Sequence, residues 1–214
     1  MNDIVKEAWR VQAKTVIRRL NAHGMDTVWA EDSEKARRLV ADLVADGSSV
    51  SWGGTQTFAE TGVKAMLEGN DTLKIIDRSK FPQTPEGQRE AFLEAVACDY
   101  YFMSANAVTL NGELVNIDGN STRTACLLHG PRHVVVLVGM NKIAPDVDAG
   151  IARTRTFACP PNAVRLNTQT PCGTTGVCAE CHGEGCMCCN IVVTRHSRAH
   201  GRIKVILIGE ELGF

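Results

Sequence analysis

The chain has 214 residues, 44% hydrophobic and 22% charged, with 24 acidic against 23 basic side chains and a formal charge of −1. A chain of this length buries roughly 70% of its unfolded surface and needs no disulfides to fold, and its near-neutral balance excludes a broad electrostatic grip on nucleic acid. No apolar run approaches the ~18 residues that span a bilayer. The opening MNDIVKEAWR has no apolar signal core, so the expected location is the cytoplasm, a reducing compartment.

Apolar residues at Ile4, Val5, Ala8, Val11, Val16, Ile17 and Leu20 fall on one helical face and predict a helix from Ile4 to His23, stopped by His23-Gly24. A short strand follows at Met25–Trp29. Asp32 or Ser33 then caps a helix driven inward by Ala36, Leu39, Val40, Leu43 and Val44. Ser49–Trp52 reads as a strand running into Gly53-Gly54-Thr55, and a helix is expected from Gln56 to Leu67. The alternation continues with a strand at Leu73–Ile76, a helix at Gln88–Ala97 and a strand at Tyr100–Met103. Asn111-Gly112 between Ala107–Thr109 and Leu114–Ile117 is a hairpin signal. A helix from Ser121 to before Gly130 precedes His133–Val138, whose unbroken apolar run marks a central strand. A helix at Asp146–Phe157 and a last pair of strands, Ile191–Thr194 and Ile203–Ile208, complete the order. Alternating strands and helices predict one α/β domain over residues 1–214, an open sheet flanked by helices.

Nine cysteines are present, and seven of them (Cys159, Cys172, Cys178, Cys181, Cys186, Cys188 and Cys189) lie close together in a Cys-rich insertion at about 159–190. In a reducing compartment such density points to a metal or redox site. Cys172, Cys178, Cys181 and Cys188 form the core pattern, and the Cys178–Cys181 spacing lets two thiolates reach one centre from a tight turn. Gly173, Gly176, Gly183 and Gly185 permit a close wrap. Four thiolates suit either an iron–sulfur cluster, [4Fe–4S] being expected, or a structural zinc; a single CxxC rather than two paired knuckles favours the cluster. Cys186 and Cys189 compete with Cys188 for the ligand set, a loop of free thiols without metal is the bland alternative, and Cys159, before Pro160-Pro161, reads equally as a packed apolar residue.

Two strand-to-helix junctions are candidate ligand sites, because open α/β sheets bind ligands beyond the carboxyl ends of their strands. At the first, Gly53, Gly54 and Thr55 could offer backbone donors to an anion, although no Walker or dinucleotide motif is present. At the second, Asp118 ends a strand, Asn120 follows, Ser121 could cap, and Arg123 could fork around an anion; an Asx turn with a solvated Arg123 is the bland alternative. Glu60 and Glu113 are possible acid–base groups and, more simply, surface charges.

The stretches SWGGTQTFAETG (51–62), SANAVTLNGELVNIDGNSTRTA (104–125), GPRHVVVLVGMNKI (130–143), NAVRLNTQTPCGTTGVC (162–178) and RIKVILIGEELGF (202–214) occur in order over about three quarters of the chain. Together they resemble the lactate-utilisation (LUD) domain family, near its protein C branch. The resemblance implies a Rossmann-like sheet similar to ribose-phosphate isomerases, glucosamine-phosphate deaminases and CoA transferases. It also implies a crevice near the two junctions, a link to oxidation of lactate or related hydroxy acids, and iron–sulfur partner subunits. The family pattern fits Cys172, Cys178, Cys181 and Cys188, whereas Gly183-Glu184-Gly185-Cys186 replaces the expected turn. Three functional classes follow: a redox component acting on a small anionic substrate, a metal-stapled binding or assembly module, and an isomerase or transferase using the crevice alone.

Overall fold

A computed structural model describes residues 2–214. Helix α1 (Asp3–Ala22) is capped by the Asn2 side chain and leads into β1 (Asp26–Ala30). Then come α2 (Ser33–Leu43), β2 (Ser49–Trp52), α3 (Gln56–Glu60), α4 (Val63–Glu68), β3 (Lys74–Ile76), α5 (Pro85–Val96) and β4 (Tyr100–Met103). The chain continues through β5 (Ala107–Thr109), β6 (Leu114–Asp118), α6 (Thr122–Leu128), β7 (His133–Gly139), β8 (Ile143–Ala144) and α7 (Val147–Arg153). It closes with α8 (Cys159–Arg165), α9 (Pro171–Thr175), β9 (Asn190–Thr194) and β10 (Ile203–Ile208).

Six strands form a parallel sheet in the order β1-β10-β7-β4-β2-β3. Successive side chains of a strand point to opposite faces, and the two faces are packed by different helices. Tyr101, Met103, Val134, Val136, Val138, Val205 and Leu207 meet α1 and α6 through Val16, Leu20 and Leu127. Phe102, Val135, Leu137, Ile206 and Ile208 meet α2, α3 and α4 through Val40, Phe58, Val63 and Leu67. Burial on both faces explains the unbroken apolar run of β7. The Rossmann-like sheet flanked by helices is therefore present.

Three expectations need correction. The chain holds two sheets: β8-β5-β6-β9 form a second one, and β9 pairs antiparallel with β6 instead of joining β10. Strand β9 is half exposed and β10 buried along almost its whole length, the difference between an edge and an interior position. The helix expected over 56–67 is broken, because Gly62 adopts a left-handed φ of 72° between α3 and α4. The helix expected to end at Phe157 instead runs through a π-helical turn at Thr154–Ala158 into α8, and Pro160 and Pro161, which cannot donate to the preceding turn, follow directly after that irregular turn. The start of the Cys-rich segment is thus helical, and its long irregular stretch begins only beyond Gly176.

Candidate functional site

The carboxyl ends of four neighbouring strands converge. Strand β2 delivers Gly53 and Gly54, β4 delivers Ser104, β3 leads to Arg78, and β7 leads through Gly139 to Lys142. A cavity of about 520 Å³ opens there, and its walls include Gly53, Gly54, Thr55, Asp118, Asn120 and Arg123. Both junctions therefore face one crevice. Cys159, Cys186 and Met187 complete the wall on the side of the Cys-rich segment.

Two glycines record how tightly these parts meet. A Cβ on Gly53 would stand 3.1 Å from the Arg123 side chain and 3.2 Å from the Tyr101 hydroxyl. A Cβ on Gly119 would stand 3.3 Å from Met187 Cα, so the second junction lies directly against the Cys-rich segment. A side chain at either position would press its neighbours back by a few tenths of an ångström.

Arg123 is half-buried and every nitrogen of its guanidinium is engaged. Nη1 donates to the Ser104 carbonyl at 3.0 Å and to Asn116 Oδ1 at 2.6 Å; Nη2 donates to Asn106 Oδ1 at 3.1 Å and to the Ile117 carbonyl at 2.9 Å. Nε faces Asp118 Oδ2 at 3.7 Å. Asp118 in turn accepts from the backbone N–H of Ser121 (3.1 Å) and of Thr124 (3.1 Å). The fork expected to hold an anion thus binds the β4 and β6 ends together, and the cap expected of Ser121 is made by Asp118. Ser121 itself has a left-handed φ of 60°, and its hydroxyl accepts from Asn190 Nδ2 at 2.7 Å.

The junction helices α3 and α6 have five and seven residues. Thr55 precedes α3 without a side-chain cap bond. Helices this short have little macrodipole, so positive potential in the crevice comes from side chains. Exposed Arg78 and Arg165 lie on its wall, Arg78 Nη2 only 3.4 Å from where a Gly54 Cβ would be. Lys142 sits deeper.

Within the Cys-rich segment, Cys159 Sγ and Cys188 Sγ lie 3.3 Å apart. Their hydrogen bond holds the Cys159 thiol below its ordinary value and the Cys188 thiol above. The Cys188 N–H donates to Cys186 Sγ at 3.4 Å, and Thr170 Oγ1 contacts Cys172 Sγ at 3.3 Å. An Arg155–Glu180 ion pair ties the loop back to the π-helical turn. The donor chemistry suits a thiophilic centre, but among the described residues no three Cys, His, Asp or Glu side chains are arranged to hold a metal ion; Cys159 and Cys188 are hydrogen bonded to each other.

A family model described as LUD domain matches residues 13–208. The chain belongs to the LUD-domain family. That family is linked to lactate utilisation. A DUF162 family protein from Deinococcus radiodurans has the same fold: it aligns with TM-score 0.56 at 12% identity, covering 94% of this chain and 98% of that one. A variant of the decarboxylase AibA/AibB aligns more weakly, with TM-score 0.37 at 18% identity over 54% of this chain and 63% of that one. Comparison with curated proteins returns no match.

Three residues of the crevice in this LUD-domain protein were missed in the sequence, Arg78, Arg165 and Lys142, and the deepest of them is Lys142. It is only 4% exposed, and its Nζ donates to Thr57 Oγ1 at 2.9 Å and Ser104 Oγ at 3.1 Å. Burial first, and then the nearby Arg153 and Arg123 guanidinium groups, bring its pKa down to about 7. The available signal was its place just beyond β7, where open sheets hold ligands. The two carboxylates separate: Glu60 Oε2 accepts from the Gly213 N–H at 2.6 Å, whereas Glu113 lines a different cavity with Arg19, His23 and Arg195. No helix among the described residues is long and apolar enough to cross a membrane.

Proposed function

We propose that this LUD-domain protein is a redox component of hydroxy-acid oxidation, holding a small anionic substrate in the crevice beside an iron–sulfur cluster on the Cys-rich segment. One observation carries the reading: the 520 Å³ cavity is walled by the strand-end junctions and by Cys159 and Cys186 together. Arg78 and Arg165 supply charge for a carboxylate, and Gly53, Gly54, Thr55 and Asn120 leave backbone and amide groups at the wall. Cys172, Cys178, Cys181 and Cys188 are the proposed ligands, with Cys186 and Cys159 close to Cys188 as alternates. A [4Fe–4S] cluster, when bound, supplies one-electron transfer. Oxidation of a 2-hydroxy acid to its 2-oxo acid releases two electrons and two protons, so the reading includes iron–sulfur partner subunits as further acceptors. The family link to lactate utilisation makes lactate the first substrate to try.

A second reading, a zinc-stapled binding or assembly module, is favoured by the state of the second junction. Arg123 and Asp118 satisfy each other and the backbone, so neither is free for acid–base work. Anaerobic purification with assays of iron, acid-labile sulfide and zinc separates the two. The redox reading expects about four iron and four sulfide per chain and visible absorbance that bleaches on reduction. Zinc without iron overturns it and leaves the stapled module.

A further inference from the structure

We propose that Lys142 is a carbonyl-reactive amine that forms an imine with a 2-oxo acid bound in the crevice. The proposal rests on the reading of the crevice as a small-carboxylate site and adds a covalent function that the cysteines do not supply.

The geometry around Nζ is specific. Thr57 Oγ1 donates its own proton to the Leu212 carbonyl at 3.2 Å, and Ser104 Oγ donates to the Ala105 carbonyl at 3.2 Å. Both hydroxyls therefore present lone pairs to Nζ and take one N–H each. A neutral amine has two N–H bonds, and these two acceptors use both. The remaining valence of nitrogen is then a lone pair, and among the described residues Nζ has no third acceptor and no carboxylate within ion-pair distance. The residue lines the cavity, so a carbonyl compound bound there is within the reach of this side chain. Packing fixes the side chain in place: a Cβ on Gly213 would come within 3.3 Å of Nζ and 2.6 Å of Thr57 Oγ1.

Desolvation next to other cations is the usual way a lysine becomes nucleophilic near neutral pH. Burial, reinforced by Arg153 and Arg123, does this here, with the pKa brought to about 7. The chemistry balances without a redox partner. The Nζ lone pair attacks the carbonyl carbon and a C–N bond forms. The carbonyl oxygen takes a proton, and the resulting hydroxyl leaves as water while nitrogen gives up its protons. Amine and 2-oxo acid thus give imine and one water. The carboxylate of the same molecule meets Arg78 or Arg165 at the wall.

Full-length protein is incubated with pyruvate, or with 2-oxobutyrate, and sodium cyanoborohydride, then weighed intact and mapped by peptide mass spectrometry. The expected product gains the mass of the acid less one oxygen atom, on the peptide that carries Lys142. Its labelling should exceed that of other lysine peptides by about tenfold or more. Lys142→Arg, which keeps charge but forms no imine, should lose the adduct. The wild-type map decides even if that variant misfolds. Calorimetric titration with pyruvate and with lactate, without reductant, runs in parallel. Binding without labelling of Lys142 above other lysines overturns the imine and leaves the carboxylate site standing. No binding of either acid and no adduct overturns both.

Discussion

A lysine buried without a carboxylate partner works against the fold whenever it is protonated. Unfolded, Lys142 titrates near ~10.4; folded, its pKa is brought down to about 7. Below pH 7 both states carry the proton, and the folded state bears the full cost of a buried charge. Above pH 7 the unfolded chain binds more protons at this site, so its contribution to stability rises with pH. The useful window is pH 7–9. Beyond it the buried Cys98 and Cys126 thiols, pushed up to about 12 and about 11 by desolvation, act in the opposite direction. Urea melts across pH 6–9 should show stability rising for the native protein, and Lys142→Met should flatten that rise and gain stability at pH 6. A slope unchanged by the substitution would remove Lys142 as its source. Lys142 was not legible in the sequence because a lone lysine just beyond a strand carries no motif of its own. Its burial comes from Leu212 and Gly213, some seventy residues away, folding back over Thr57.

At the scale of elements, the corrections share a cause: local periodicity names an element but not where the chain must bend to pack. The α3–α4 break is the clearest case. Apolar spacing continues from Phe58 to Val63 and Leu67, all buried against β2, β4 and β7. Gly62 nevertheless turns left-handed, and Arg37 Nη1 donates to the Thr61 carbonyl at 2.8 Å, satisfying a group that the break exposes. A side chain in this backbone region costs roughly 1–2 kcal/mol. Gly62→Ala should therefore lower unfolding stability by that amount, read from the urea midpoint at constant m-value. A neutral or stabilising result would mean that the two helices fuse. The short helices also relocate the chemistry of the crevice. With little dipole at α3 and α6, Arg78 and Arg165 carry its positive potential. The Arg123 fork, legible as a functional group from its motif, was not legible as an occupied one. Its acceptors at Ser104, Asn106, Asn116 and Ile117 come together only when β4 and β6 from separate sheets are brought side by side.

Over the whole molecule, stability is unevenly spread. Strand β7 lies between β10 and β4, buried from Val134 to Gly139, while the loop beyond Gly176 is mostly exposed and held by few tertiary contacts. In metal-free protein, hydrogen exchange should be slowest at β7 and fastest across residues 176–189, since local opening follows burial and hydrogen bonding. Adding iron and sulfide should protect the loop more than the sheet; equal protection of both would place the cluster elsewhere. The alternation of strands and helices, the central place of β7 and the thiol-rich segment were determined by the sequence itself. Each rests on apolar periodicity or on residue types close together in the chain, and short-range pattern is enough to express them. The tertiary structure alone decided the split into two sheets, the packing of the second junction against Met187 and the burial of Lys142. Those properties depend on surfaces brought together from distant parts of the chain, and the burial of a polar side chain is not written in the stretch that carries it.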